Sequence, residues 1–266
     1  AFYPIGPLIG DDYVPQPIKK SDVIIASIVW SLTLIWAGIC GRQVYQQIRI
    51  SRFPLRSAFV WMISIELVVC VVMGTECWLH LVEIIPPSFA FYFTILVWWC
   101  IQVQLLLQII INRVRVISLS RERAKAIMIA TAVFVTLINI SVFNIWIPAR
   151  LQISKRYIRI NDVWDRCEKV IYLILDGCLN AYFIKTVKKN LVHNGLQKYD
   201  KLLKYNVRII FVSLLMDVMI IAAMSIPNSF VYIQFHPLAY LVKLNIEITM
   251  AHLIKKIAIS SAKRTG

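Results

Sequence analysis

The sequence predicts an all-α, polytopic membrane protein: a bundle of seven transmembrane helices, amino terminus outside and carboxyl terminus in the cytoplasm. Three observations carry that prediction. The 266 residues are 59% apolar and only 16% charged, with a mean hydropathy of +0.70 that no soluble domain of this size approaches. Seven apolar runs are each long enough for the roughly 20 helical residues that cross a ~30 Å hydrocarbon core. The basic residues fall mainly between alternate pairs of runs, the asymmetry that marks cytoplasmic loops.

Taken in order, residues 1–21 hold Pro4, Pro7, Pro15, Pro17, Gly6 and Gly10, a composition that resists a regular helix and reads as an extramembrane tail. The spans follow at about 22–41, 57–82, 88–112, 126–147, 167–187, 207–226 and 237–255, and together they make residues 22–255 one transmembrane domain. Residues 256–266 form a basic cytoplasmic tail. Prolines mark the expected outer ends: Pro86 and Pro87 before the third span, Pro148 after the fourth, Pro227 after the sixth and Pro237 opening the seventh. The longest outer loop, 149–166, alternates in LQISKRYIRI and is expected to form a short strand or a surface helix. Twenty Lys and Arg lie in the loops 42–56, 113–125 and 185–208 and the tail after 254, against seven on the opposite side.

The net charge of +15 therefore reads as topology and contact with anionic lipid, and nucleic acid is not expected as a partner. The partners to expect are the bilayer, a small lipophilic or polar ligand, and a cytoplasmic protein at 113–125 and 185–208. Six cysteines show no CxxC or metal-ligand spacing, so no metal and no cofactor is expected. Cys77 and Cys167 both fall near outer ends, where an external disulfide and two unpaired thiols are equally open readings.

The chemistry-bearing groups are the polar residues inside the spans. Five acids lie there, Glu66, Glu76, Asp176, Asp217 and Glu247, opposed well inside by Lys243 alone. Five negatives against one positive is an arrangement that desolvation forbids, so some must be protonated, cation-bound, wetted or paired with basic groups at span ends. A charge in mid-membrane marks a functional candidate. In the seventh span His236, Tyr240, Lys243, Glu247 and Met250 share one helical face, a polar seam. At ~1.5 Å per residue Lys243 sits ~10 Å below the outer surface. That is level with Glu76 and Asp176, so these groups, with Asp217, are expected to cluster in the outer half, and the seam of His236, Tyr240, Lys243 and Glu247 to form one wall of an outward-opening polar pocket. The third span adds Gln104, Gln108 and Asn112 at four-residue spacing, read as glue between helices.

Four segments carry a family resemblance: SRFPLRSAFVWMISIELVVC, IQVQLLLQIIINRVRVI, NIWIPARLQISKRYIRINDVWDRCEKVIYLILDGCLNAYF and MSIPNSFVYIQFHPLAYLVKLNIEITMAHLIKK. From about residue 20 onward the chain resembles a class of fungal orphan seven-transmembrane-helix proteins, grouped as receptor-like or rhodopsin-like. That resemblance implies a fold and a lineage, with no ligand or reaction attached. Asn112-Arg113 is similar in place to the acid–arginine pair of animal rhodopsin-class receptors, with Asn for the acid and no Asn-Pro-x-x-Tyr in the seventh span. A receptor-like sensor of a small ligand is the preferred expectation, with Lys243, Glu247, Glu76, Asp176, Asp217, Tyr240 and His236 as its binding residues. The alternative is a membrane enzyme of secondary metabolism. There Asp217 or Glu66, kept protonated in an apolar site, would drive a terpene-type cyclisation. A retinal protein ranks third, because the third span offers no acid as counter-ion to Lys243.

Overall fold

The structure is a computed structural model that describes residues 13–117, 121–193 and 200–265, with side chains for 13–116, 122–189 and 204–251. Residues 1–12, 118–120 and 194–199, and the side chains of Lys255, Lys256, Lys263 and Arg264, thus lie outside the described residues, and with them parts of the expected tail and basic loops. Among the described residues there are seven α-helices, one short 3-10 turn at Pro54–Arg56 and no strand. The helices are α1 Lys20–Ile50, α2 Ala58–Leu81, α3 Phe89–Ile117, α4 Arg121–Arg150, α5 Lys155–His193, α6 Asp200–Ala223 and α7 Ser229–Thr265.

Most helices outrun the apolar stretches that predict them, because a helix stops only where its backbone chemistry changes. Residues 41–50 continue α1 past its apolar run, and the helix ends just ahead of Phe53-Pro54, where the residue before proline is biased away from helix. Residues 155–166 carry no Gly or Pro, so the expected strand or surface helix is simply the opening turns of α5. Pro148 and Pro237, expected at span ends, both lie inside helices. α7 begins eight residues before Pro237, where Asn228 Oδ1 accepts the Phe230 N–H at 3.0 Å and starts the helix.

Two turns at the end of the bundle that carries residues 13–19, here the amino-terminal end, are closed alike. Glu83 (φ 68°) and Gln152 (φ 56°) take the left-handed conformation. After each, the next N–H reaches back to a helix carbonyl, Ile84 to Leu79 at 2.9 Å and Ile153 to Pro148 at 3.1 Å, which satisfies the exposed end of α2 and of α4. The Gln152 amide also straps the incoming chain, accepting the Val14 N–H at 3.2 Å and donating to the Val14 carbonyl at 2.8 Å.

Each helix touches the next in sequence and α7 touches α1, so the bundle closes. α3 and α7 also meet each other, and α3 reaches α5 while α7 reaches α2. The outer helices turn apolar stripes outward: Ile24, Ile28, Leu32, Ile35 and Ile39 on α1, Phe134 and Leu137 on α4, Phe211, Leu215 and Val218 on α6. No residue of α7 from 229 to 251 is exposed. Six helices, α1 to α6, are long and apolar enough to cross a membrane, and α7 is not among them. From 229 to 251 protein covers α7, so Gln234, His236, Lys243 and Glu247 need not be apolar. By the length and composition of its helices the chain is a multi-pass membrane protein.

Close packing around α7 depends on Gly74 of α2. A Cβ there would meet Trp30 Cζ3 at 2.5 Å, and the Gly74 carbonyl accepts Gln234 Nε2 at 3.2 Å.

Candidate functional site

The seam on α7 meets partners on three other helices and forms a continuous buried network. Lys243 Nζ, 3% exposed, lies 2.6 and 2.7 Å from the two Asp217 oxygens on α6 and 2.8 Å from Asp176 Oδ2 on α5. Asn180, one turn along α5, donates to Asp176 Oδ1 at 2.7 Å and accepts from Arg113 Nη2 at 2.7 Å. Arg113 Nη1 then reaches Glu247 at 3.0 Å, and the guanidinium stacks 4.0 Å over the Phe183 ring. Regular helix spacing makes this possible. Asp176, Asn180 and Phe183 line one face of α5, and Lys243, Glu247 and Met250 line one face of α7. In a dry interior such pairing holds only when nearly every charged atom finds a partner.

A second cluster lies nearer the amino-terminal end. Lys169 of α5 contacts Glu168 Oε1 and donates to Asp165 Oδ1 at 2.9 Å, while Tyr232 of α7 donates to Asp165 Oδ2 at 2.5 Å. The ammonium sits 4.7 Å from the Trp99 ring centre. Above this cluster opens a cavity of about 850 Å³, walled by Tyr13, Tyr92, Arg150, Asn161, Asp165, Phe230 and Tyr232. A narrow space of about 20 Å³ lies beneath it, between Trp99, Trp146, Lys169 and His236. At the opposite end Arg52, Asn112, Arg113 and Ala251 line a further cavity of about 370 Å³.

Lys243, Asp176 and Asp217 do come together. Several other expectations are corrected. Lys243 is not the lone interior cation, since Arg113 and Lys169 are buried as well. Both sat where the sequence places span ends, so the only signal was their distance from a break in the helical pattern. Glu247, expected on the pocket wall beside Lys243, instead pairs with buried Arg113. Glu76 joins no cation: it accepts from the Thr94 hydroxyl and from Trp98 Nε1 at 2.9 Å, both on α3. Depth alone put it level with Lys243, but its side of α2 faces α3. Lys243, Glu247, Asp176, Asp217 and Tyr240 line none of the cavities above; His236 borders the narrow one, 5.9 Å from Tyr232 and 6.4 Å from Tyr240 by ring centres. The walls of the large cavity come instead from the α4–α5 and α6–α7 turns, the first turns of α3, α5 and α7 and the amino-terminal segment.

Glu66 is 0% exposed, with the Cys70 thiol 3.7 Å from its Oε1. Cys77 and Cys167 form no disulfide; Cys77 is buried and donates to the Phe230 carbonyl at 3.3 Å, while Cys167 is exposed. Gln108 Nε2 donates to the Met128 carbonyl at 3.4 Å and so ties α3 to α4. No protein-family model, no curated protein and no solved structure matches the chain.

Proposed function

We propose that this membrane protein is a receptor-like sensor that takes a small ligand in the cavity at the amino-terminal end and passes its occupancy along α7. The observation that supports this most is that one helix serves both places. Tyr232 walls the 850 Å³ cavity. Eleven and fifteen residues further on, ~16 and ~22 Å along the axis, come Lys243 and Glu247. Arg113, the partner of Glu247, lines the cavity at the other end. A ligand that favours one position of Tyr232 shifts the helix population that the network reads out. In this reading the amino-terminal end faces outward, and the segments 113–125 and 185–208 face a cytoplasmic partner.

The cyclase alternative has less support. Acid catalysis needs a carboxyl group open to substrate, whereas Lys243 holds both oxygens of Asp217, and Glu66 is sealed.

The test is a dye on Ser57→Cys in the far cavity, in a Cys167→Ser, Cys178→Ser background held in nanodiscs. Any compound that raises the unfolding temperature should change the dye emission, and Tyr232→Trp should remove both effects. Stabilising compounds that never move the dye would sink the sensor reading. Turnover of such a compound, abolished by Asp217→Asn or Glu66→Gln, would put an enzyme in its place.

A further inference from the structure

Among the described residues, one half-buried charged group in the large cavity has no ion-pair partner. Arg150, in the last turn of α4, lines the cavity half-buried, and its Nε has no hydrogen-bond partner. Its guanidinium rests 5.1 Å from the Trp146 ring centre and 5.8 Å from that of Phe230. Among the described residues no carboxylate lies within ion-pair distance of it. The nearby acid of the wall is already engaged, because both oxygens of Asp165 are taken by Lys169 and the Tyr232 hydroxyl. Asp162 and Arg166 also line the cavity, but both are exposed, where solvent screens their charges.

The chemistry of this corner is specific. A half-desolvated guanidinium favours an oxyanion that meets its N–H groups in their plane, and carboxylates do so in a two-pronged fashion. Its aromatic supports hold the guanidinium plane in place and reduce the entropy lost on binding. Beside it Tyr92 and Phe230 stack at 6.0 Å and 16°, an apolar wall for the body of a ligand. The Tyr13 and Tyr92 hydroxyls lie 2.5 Å apart, so the strapped amino-terminal segment completes that wall.

We propose that the cavity binds a small organic anion, a carboxylate with an aryl or alkyl body, with Arg150 holding the carboxylate and Tyr92 and Phe230 flanking the body. This rests on the cavity being the ligand site of the sensor reading above.

Three probes that share a benzyl body test it on the whole chain in nanodiscs at low salt: phenylacetate, its isostere phenylacetamide and the cationic phenethylamine, followed by tryptophan fluorescence. Phenylacetate should bind roughly tenfold or more tighter than the other two, the scale of one charge-assisted hydrogen-bonded pair. Arg150→Gln should erase that preference and leave the weaker amide binding unchanged. Arg166→Gln at the rim should change affinity by less than about threefold, as exposed charges do. If Arg150→Gln is not recovered as monodisperse protein, Arg150→Lys takes its place. It keeps the charge without the planar fork and should lose severalfold for phenylacetate alone. Equal or tighter binding of the amide or the amine by the wild type overturns the anion proposal and spares the cavity as a ligand site. Absence of binding by all three probes at millimolar concentration overturns both.

Discussion

The two buried lysines have the same chemistry in two different settings. Lys243 and Lys169 each face two carboxylates, and both clusters join α5 to α7. The acids of Lys169 come from its own helix, one and four residues earlier, and other elements add only the Tyr232 hydroxyl and the Trp99 ring. Those of Lys243 come from α5 and α6, so three helices meet at one nitrogen. A cluster assembled within one helix exists before the bundle packs; one drawn from three exists only after. The first borders a cavity of about 850 Å³ through Asp165, and the second borders none of the cavities described. One is suited to shaping a binding space, the other to fastening the helices that must move together.

That contrast yields a ranked set of outcomes. Lys243→Met leaves two carboxylates facing each other in a dry interior. It should cost the most, about 3–5 kcal/mol, the range seen when one partner of a buried pair is removed. Thermal or denaturant unfolding in detergent would show it. Adding Asp176→Asn and Asp217→Asn should recover most of the loss, and a single variant as stable as wild type would break the contrast. Arg113→Lys keeps the charge but cannot span Glu247 and Asn180 together, so about 1–3 kcal/mol is expected by the same measurement.

For Lys169→Met the expected loss is smaller than for Lys243→Met, about 1–3 kcal/mol, because Asp165 keeps Tyr232 and gains cavity water, so that only buried Glu168 is left without a partner. A loss equal to that of Lys243→Met would show that the two clusters are energetically alike. Tyr232→Phe should cost least among these, about 1 kcal/mol. It should nevertheless alter dye emission at Ser57→Cys, which a purely local role would not. The mildest probe removes nothing: a water-soluble maleimide should modify exposed Cys167 at the cavity rim and spare buried Cys77, and disulfide formation between them should be undetectable by non-reducing mass analysis.

The helices were legible because the signals for them are local. Apolar runs located all seven, and the i,i+4 spacing put Lys243 and Glu247 on one face of α7. Their ends were misplaced wherever a helix continues through polar residues, as in the opening turns of α5 and at Pro237. The site was legible only in part. The sequence groups Lys243, Asp176 and Asp217 with Glu76, of which the structure keeps the first three, while Arg113, Lys169, Asp165 and Arg150 read as loop or span-end charges. Their burial follows from helices longer than the apolar stretches that reveal them.

Residue patterns alone thus yield a multi-pass helical chain, a polar seam on its last helix, and acids at countable positions along their helices. Depth follows from counting residues at a constant rise, so it needs no knowledge of neighbours. Direction around each helix acquires meaning only when the neighbours are in place. Tertiary structure alone decided that Glu76 faces α3, that Glu247 takes Arg113, and that α7 lies enclosed where polar groups are covered by protein. It also placed the cavity beside Tyr232 and Arg150, away from Lys243, because two turns and the amino-terminal segment, all distant in sequence, converge at one end of the closed bundle.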